Sequence, residues 1–119
     1  MEFIIGVNEV PVNVKVSAQA QQVAAVATCT AAVALGLDST TVPSGIWGPQ
    51  AVWDNAGTIG PASAYGFYDE YPGIGRHFLA WLEFGNSATT ITYFGTGQGN
   101  VSSGSSPTTQ GGITGWIEG

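Results

Sequence analysis

Charged side chains are scarce in this sequence. They make up 8 % of the 119 residues, and only Lys15 and Arg76 are basic. Eight acidic side chains against these two give a formal net charge of −6. Proteins that bind nucleic acid neutralise phosphates with several Lys or Arg side chains, so no nucleic-acid partner is expected. Attraction to an anionic membrane surface is not expected for the same reason.

Cysteine and histidine occur once each, as Cys29 and His77. No intrachain disulfide can form, and the chain has no zinc-ligand pattern. Cys29 lies in an Ala/Val/Thr run, which favours a small buried side chain. A serine triad would need His77 as its base, but no serine lies in a nucleophile-elbow sequence. The sequence therefore predicts a protein that is not an enzyme, with no catalytic, metal or cofactor site.

Two motifs resemble functional sites but lack the neighbours that such sites need. Asp69 and Glu70 are adjacent, so their carboxylates would point apart on a strand, and solvated charges are expected. Residues 95–100, GTGQGN, lack both the helix of a dinucleotide fingerprint and the Gly-Lys-Ser/Thr of a P-loop. They are interpreted as a flexible loop.

No targeting segment is expected, because acidic Glu2 follows Met1 and no basic region precedes an apolar run. The charge-free stretch Val16–Leu37 is long enough to span a bilayer, but Ala, Thr, Gln and Ser dominate it. A soluble chain is expected. Its 44 % hydrophobic content with so little charge favours homo-oligomers that bury surface between subunits. The alternative is a monomer coated with Ser, Thr, Gly and Asn.

Composition divides the chain near residue 44. Residues 1–44 hold two of the 18 glycines and one of the 13 aromatic residues, so an N-terminal attachment or shaft-like segment (1–44) and a β-rich head (45–119) are expected. Within residues 1–44, residues 2–8 are predicted to form a short strand. Val10, Val12, Val14 and Val16 alternate with polar residues as in a second strand, which Pro11 would place at a sheet edge or leave paired on one side.

Residues 17–37 allow two interpretations. A 3-4 spacing from Val16 to Leu37 fits a helix and a coiled coil, although Gln19 and Thr30 would occupy its seam. Alternating residues from Val23 to Leu37 also fit short strands, and the β-branched content favours this second interpretation.

The segment Gly75–Gly95 (GRHFLAWLEFGNSATTITYFG) predicts a hairpin, with strands at 76–84 and 89–94 around Gly85-Asn86-Ser87. The first strand carries apolar side chains on both faces. The expected division gives Phe78, Leu82 and Phe84 to the subunit core. Candidate subunit-interface residues are Leu79, Trp81, Phe94 and Trp116.

Short segments punctuated by Gly and Pro follow residue 45 and predict an all-β, sandwich or jelly-roll-like head. Aromatic residues gather between positions 47 and 71. They suit either a core with a subunit interface, the preferred interpretation, or a sugar-binding surface. The candidate ligand-binding residues are Trp53, Tyr65, Tyr68 and Tyr71, of which the three tyrosines are expected to be partly exposed.

Residues 65–119 resemble C-terminal segments of bacteriophage virion-surface proteins, including tail-fibre tips, head fibres and capsid decoration proteins. The resemblance lies in the run Gly75–Gly95 with its Tyr93-Phe94-Gly95 ending, a Gly/Ser/Thr-rich loop, and the closing Gly-x-x-Gly-x-Ile-x-Gly at Gly112–Gly119.

The resemblance implies an intertwined, β-rich homotrimer on the virion surface, a decoration or fibre component that binds a capsid or another virion protein and engages a host receptor. The alternative is a carbohydrate-binding module for a cell-surface glycan. Neither interpretation requires a cofactor.

Overall fold

A computed structural model describes residues 1–6, 10–22, 28–48, 50–53, 62–86, 90–94 and 111–117. These residues form β-strands and connecting turns, and no helix occurs among them. The strands are β1 Glu2–Ile5, β2 Val12–Gln22, β3 Cys29–Leu37, β4 Ile46–Trp47, β5 Ala51–Trp53, β6 Ala62–Glu70, β7 Gly75–Asn86, β8 Ile91–Phe94 and β9 Gly112–Ile117. They make two antiparallel sheets, which confirms the prediction of an all-β, sandwich-like fold.

The five-stranded sheet is organised around β2. Its order is β4-β6-β2-β8, with β9 also paired to β2. The ladder with β6 runs from Val12 opposite Glu70 to Ala20 opposite Ala62. β9 pairs with the first half of β2, from Val12 to Ser17, and β8 pairs with its end, from Gln19 to Gln22. Almost the whole length of β2 is therefore paired on two sides.

The four-stranded sheet has the order β1-β7-β3-β5. The long strand β7 pairs with β1 through its first four residues and with β3 through residues 79–86. Backbone hydrogen bonds show that these partners lie on opposite edges, because Leu79 bonds to Met1 while Phe78 bonds to Asp38.

The core lies between the sheets and is built from alternate residues. β2 contributes Val12, Val14, Val16, Ala18 and Ala20, all buried, and β3 contributes Cys29, Ala31, Val33 and Leu35. Cys29 is 1 % exposed, so its predicted burial is confirmed.

Small side chains let the two sheets approach closely at Gly66 in β6. A Cβ atom on Gly66 would lie 2.7 Å from the carbonyl oxygen of Val33 and 2.9 Å from the Cα of Ala34. Facing sheets usually lie about 10 Å apart, a spacing set by interleaved side chains. Here the backbone of β3 occupies the space that a side chain on β6 would need.

The Tyr93 side chain links the end of β8 to the other sheet by a hydrogen bond. Its hydroxyl donates to the carbonyl oxygen of Phe84 and lies near that of Ala32. Burial raises the pKa of the Tyr93 phenol, so the group stays a neutral hydrogen-bond donor.

Several sequence expectations need correction. Residues 17–22 and 29–37 are strands, which confirms the preferred interpretation there, and the alternative helix with its coiled coil is wrong. Residues 23–27 lie outside the description. The predicted hairpin is also wrong. β7 and β8 belong to different sheets, because apolar residues on both faces of β7 suit a central strand better than half of a hairpin.

The strand at 12–22 is central, although Pro11 predicted an edge or one-sided pairing. The strand begins after Pro11, so the missing amide leaves its ladder intact. The division expected near residue 44, into an attachment segment and a head, stays a prediction. Strands from both sides of residue 44 share each sheet, with β2 beside β6 and β3 beside β7.

The faces of β7 are reversed relative to the prediction. Leu79 is 1 % exposed and belongs to the core, and Trp81 packs against the core. They pair with Leu37 and Leu35, whose side chains point toward the five-stranded sheet, so β7 must point the same way at these positions. Phe78, Leu82 and Phe84 lie on the other side of the four-stranded sheet. Leu82 is nevertheless 6 % exposed, so its predicted burial is confirmed. A Cβ atom on Gly36 would meet Leu82 Cδ1 and the carbonyl oxygens of Ser39 and Val42, so the turn after β3 covers this part of the sheet.

Replacing Gly66 with Ala should destabilise the protein by about 1–3 kcal/mol, because the added methyl group overlaps the backbone of β3. Urea unfolding followed by circular dichroism measures the effect. Gly6→Ala is the matched control, since a Cβ there would meet no atom within 4 Å. Equal stabilities for the two variants would contradict close packing of the sheets at Gly66.

Candidate functional site

The outer face of the five-stranded sheet carries the most distinctive side chains. Because β2 alternates, its buried Val and Ala residues leave Asn13, Lys15 and Ser17 on the other side of the strand. The register places Phe67 beside Lys15 on one flank and Thr114 beside it on the other. Polar side chains therefore run down the middle of this face, with aromatic residues on both flanks.

Lys15 lies over two aromatic rings of β6. Its Nζ is 4.5 Å from the centroid of the Tyr65 ring and 5.6 Å from that of Phe67. Both distances are within the range of a cation–π attraction, worth about 0.5–1 kcal/mol at an exposed site. The two rings hold the ammonium group on the face of the sheet.

Lys15 also differs from Arg76, the other cation of the sequence. Arg76 forms an ion pair with Glu2 at 2.8 Å. Within the described part of the chain, no carboxylate lies within 4.0 Å of the Lys15 ammonium group. The charge of Lys15 is therefore oriented but not neutralised by a close acid.

Trp116 extends this surface on β9. Its side chain is 54 % exposed, and it pairs with Asn13, one row along from Lys15. Phe67 is also exposed, and Tyr65 is half-buried beneath Lys15. We call this surface the aromatic face, defined by Asn13, Lys15, Ser17, Tyr65, Phe67, Thr114 and Trp116.

The predicted ligand-binding residues do not form one site. Tyr65 lies on the aromatic face. Tyr68 is 1 % exposed, so its expected exposure is wrong: its even position in β6 turns it into the core with Ala64 and Gly66. Tyr71 is exposed but follows the end of β6, roughly 20 Å from Tyr65 at the rise of a strand. Trp53 ends β5, and its side chain lies outside the described residues.

The predicted subunit-interface residues also do not share one surface. Leu79 is 1 % exposed, so its assignment to a subunit contact is wrong. Trp81 is half-buried against the core, and its interface role stays a prediction. Phe94, half-buried, pairs with Gln19 and shares the outer side of its sheet with Trp116. An interface role for Phe94 and Trp116 stays a prediction.

Lys15 and Phe67 were missed as site residues. Tyr65, Tyr68 and Tyr71 were grouped by a spacing of three, whereas a strand has a period of two. Alternation in AYGFYDE would have placed Tyr65 with Phe67 and separated both from Tyr68. The same alternation in VNVKV puts Lys15 on the face of the strand away from the buried valines.

The outer side of the four-stranded sheet carries mostly apolar side chains, which are exposed at its two ends and buried between them. Ile4 is 75 % exposed at one end of it, and Val52, paired with Thr30, is 61 % exposed at the other. The residues between them lie on the outer side of β7 and β3, where Ala32, Ala34 and Leu82 are only 5 %, 1 % and 6 % exposed, so the centre of this side is already covered within the chain. We call this surface the apolar face, defined by Ile4, Thr30, Ala32, Ala34, Val52, Phe78, Ala80, Leu82 and Phe84. Glu2 and Arg76 add one exposed ion pair at its margin.

His77 contacts an acid but is enclosed. Its Nδ1 lies 2.7 Å from Oδ2 of Asp38, and the amide of Phe78 donates to Oδ1 at 2.9 Å. Asp38 has a φ of 50°, in the left-handed region, where its short polar side chain is tolerated. The His77 side chain is 13 % exposed, and Nε2 is buried with no hydrogen-bond partner among the described residues. In a catalytic triad Nε2 would face the nucleophile, so this pair is better suited to joining the end of β3 to β7.

Within the described ranges, no group of three or more His, Cys, Asp or Glu side chains could hold a metal ion. The same residues include no helix long and apolar enough to cross a membrane. Comparisons with protein-family models, curated proteins and solved structures gave no match to this chain.

The Asp38 carboxylate should make stability depend on acid pH. Hydrogen bonds from His77 and then from the Phe78 amide lower its pKa below the ordinary value of 3.8. A lowered folded pKa gives stability that is fully present above about 3.8 and lost as the pH falls through the folded pKa.

Asp38→Asn keeps the side-chain shape and tolerates the same φ, so it isolates the charge. Urea unfolding from pH 7 to pH 2 should show the wild-type advantage over the variant shrinking at the acid end. If the difference in unfolding free energy between the two proteins does not change with pH, the ionised carboxylate has no structural role.

Proposed function

We propose that this chain is a structural protein of a bacteriophage particle, a homotrimeric decoration or fibre component at the capsid surface. The proposal assigns it no catalytic activity. Its work is non-covalent: it associates with copies of itself and with a capsid or other virion protein, and the assembly engages a host surface. Several weak contacts in one trimer would give avidity without a strong single site.

The apolar face is the observation that carries the self-assembly part of this proposal. Ile4 and Val52 are large apolar side chains that are 75 % and 61 % exposed at its two ends, and exposed apolar surface is typical of protein contacts. The centre of the face is covered within the chain, so a second copy would contact these ends and the partly buried Phe78 and Phe84. The ion pair of Glu2 and Arg76 lies beside Ile4, with which Arg76 pairs.

The attribution to a phage particle and the trimeric state rest on the resemblance of residues 65–119 to virion-surface segments. The low charge of the chain supports self-association, because few like charges hold copies apart.

A second function, binding of a carbohydrate, is favoured by the aromatic face. Exposed aromatic rings give flat apolar surfaces, and Asn13, Ser17 and Thr114 offer hydrogen-bonding groups beside them. Only Tyr65 of the residues first proposed for ligand binding belongs to this surface. The two functions are compatible, because the aromatic face and the apolar face lie on opposite sides of the sandwich.

Lysine at both exposed ends of the apolar face should reduce assembly. In the double variant Ile4→Lys/Val52→Lys each ammonium would have to leave water on association, at a cost of several kcal/mol per ion. We expect sedimentation equilibrium to give three times the 12.2 kDa chain mass for the wild type and a single chain mass for the variant.

The control Thr92→Lys/Ser63→Lys adds the same charge to exposed positions on the outer side of the other sheet. It should leave the mass unchanged. A wild-type protein that sediments as a monomer would overturn the trimer. If only the control variant sediments with a lower mass, the interface lies on the other sheet.

A further inference from the structure

We propose that the aromatic face binds a saccharide that carries a carboxylate group. Lys15 contacts the carboxylate, and the ring of Trp116 packs against the apolar face of a neighbouring sugar unit. This inference rests on the second function above and adds the chemical class of the ligand.

The charge of Lys15 is the first argument. It is one of two cations in a chain with eight acids, and the other cation, Arg76, is paired. The ammonium group is held instead over Tyr65 and Phe67, with no described carboxylate within 4.0 Å. A positioned ammonium ion can bind an anionic group without first breaking an internal salt bridge, which lowers the free-energy cost of binding.

The placement of Trp116 is the second argument. Lys15 pairs with Thr114, so Trp116 is its diagonal neighbour on β9, with backbones about 7–8 Å apart. The Lys15 ammonium group lies over the rings of β6, across β2 from β9. A saccharide of two or more units can therefore contact the ammonium group with one unit and the indole with another. Asn13 lies directly beside Trp116, and Ser17 and Thr114 flank Lys15, so amide and hydroxyl groups surround the position of the sugar.

The charges nearby limit the ligand to one acidic group. Asp69 is exposed and pairs with Asn13, so a carboxylate already stands one row from Lys15. With the net charge of −6, this would repel a polyanion such as nucleic acid. A phosphate group is usually held by several donors or by a bidentate Arg, and this face has neither. A sugar with one carboxylate and an apolar ring face fits both the single cation and the aromatic rings.

The test uses the full-length protein on an array of saccharides ending in sialic or hexuronic acids, each printed beside its methyl ester. The ester removes only the charge. We expect at least one acidic saccharide to bind at least tenfold more tightly than its ester. Lys15→Met should abolish that preference and Lys15→Arg should retain it, while Trp116→Ala should weaken binding of acid and ester alike.

Arg76→Met is the matched control. It also makes the net charge more negative by one, but Arg76 lies on the other sheet. It should bind as the wild type does. Circular dichroism and sedimentation of every variant should show an unchanged fold and mass.

Each other outcome overturns a defined part of the account. Equal binding of an acid and its ester overturns the carboxylate inference and leaves carbohydrate binding standing. No binding of any saccharide overturns both. A fall in mass for Lys15→Met or Trp116→Ala would place the aromatic face between subunits, which also overturns the inference.

Discussion

The pairing of β2 along both of its edges is the constraint on which the rest of the structure depends. A strand whose amide and carbonyl groups are bonded on both sides cannot shift its register without breaking two ladders. Its alternation then decides which side chains face the core. Val12, Val14 and Val16 must point inward, and Asn13, Lys15 and Ser17 must point outward. The aromatic face is therefore a consequence of the same register that builds the core.

The two outer surfaces of the sandwich differ because their central strands differ. β2 presents polar side chains on its outer side, whereas β3 is rich in Ala and pairs with β7, which carries large apolar side chains. A polar surface with a few rings can stay in water and meet a hydrated ligand. An apolar surface gains free energy when another protein covers it, at about 25 cal/mol for each Å² removed from water. We therefore propose that one small chain uses one surface for assembly and a separate surface for recognition.

The sequence predicted the elements better than it predicted their partners. The alternation from Val12 to Val16 was sufficient to identify β2 and its buried side, because the pattern is local. The partners of β7 are distant in the chain. Residues 76–84 pair with β1 and β3, and nothing in the local sequence predicts these partners.

The candidate site shows the same limit. Tyr65 was identified from the sequence as a ligand residue, but Lys15 and Trp116 reach it only through the ladders of β6 and β9 with β2. These contacts join positions 50 or more apart in the chain, and one sequence contains no signal for such pairing. Tyr68 was misplaced for a simpler reason, since a two-residue period applied to β6 turns it inward.

Hydroxyl-radical footprinting of the assembled protein tests the central claim, that the two faces have separate roles, most directly. The account predicts that Phe67 and Trp116 are oxidised readily, while Ile4, Phe78 and Phe84 are protected at concentrations where the protein assembles and become reactive on dilution. Protection of Phe67 and Trp116 together with free oxidation of Ile4 would contradict it.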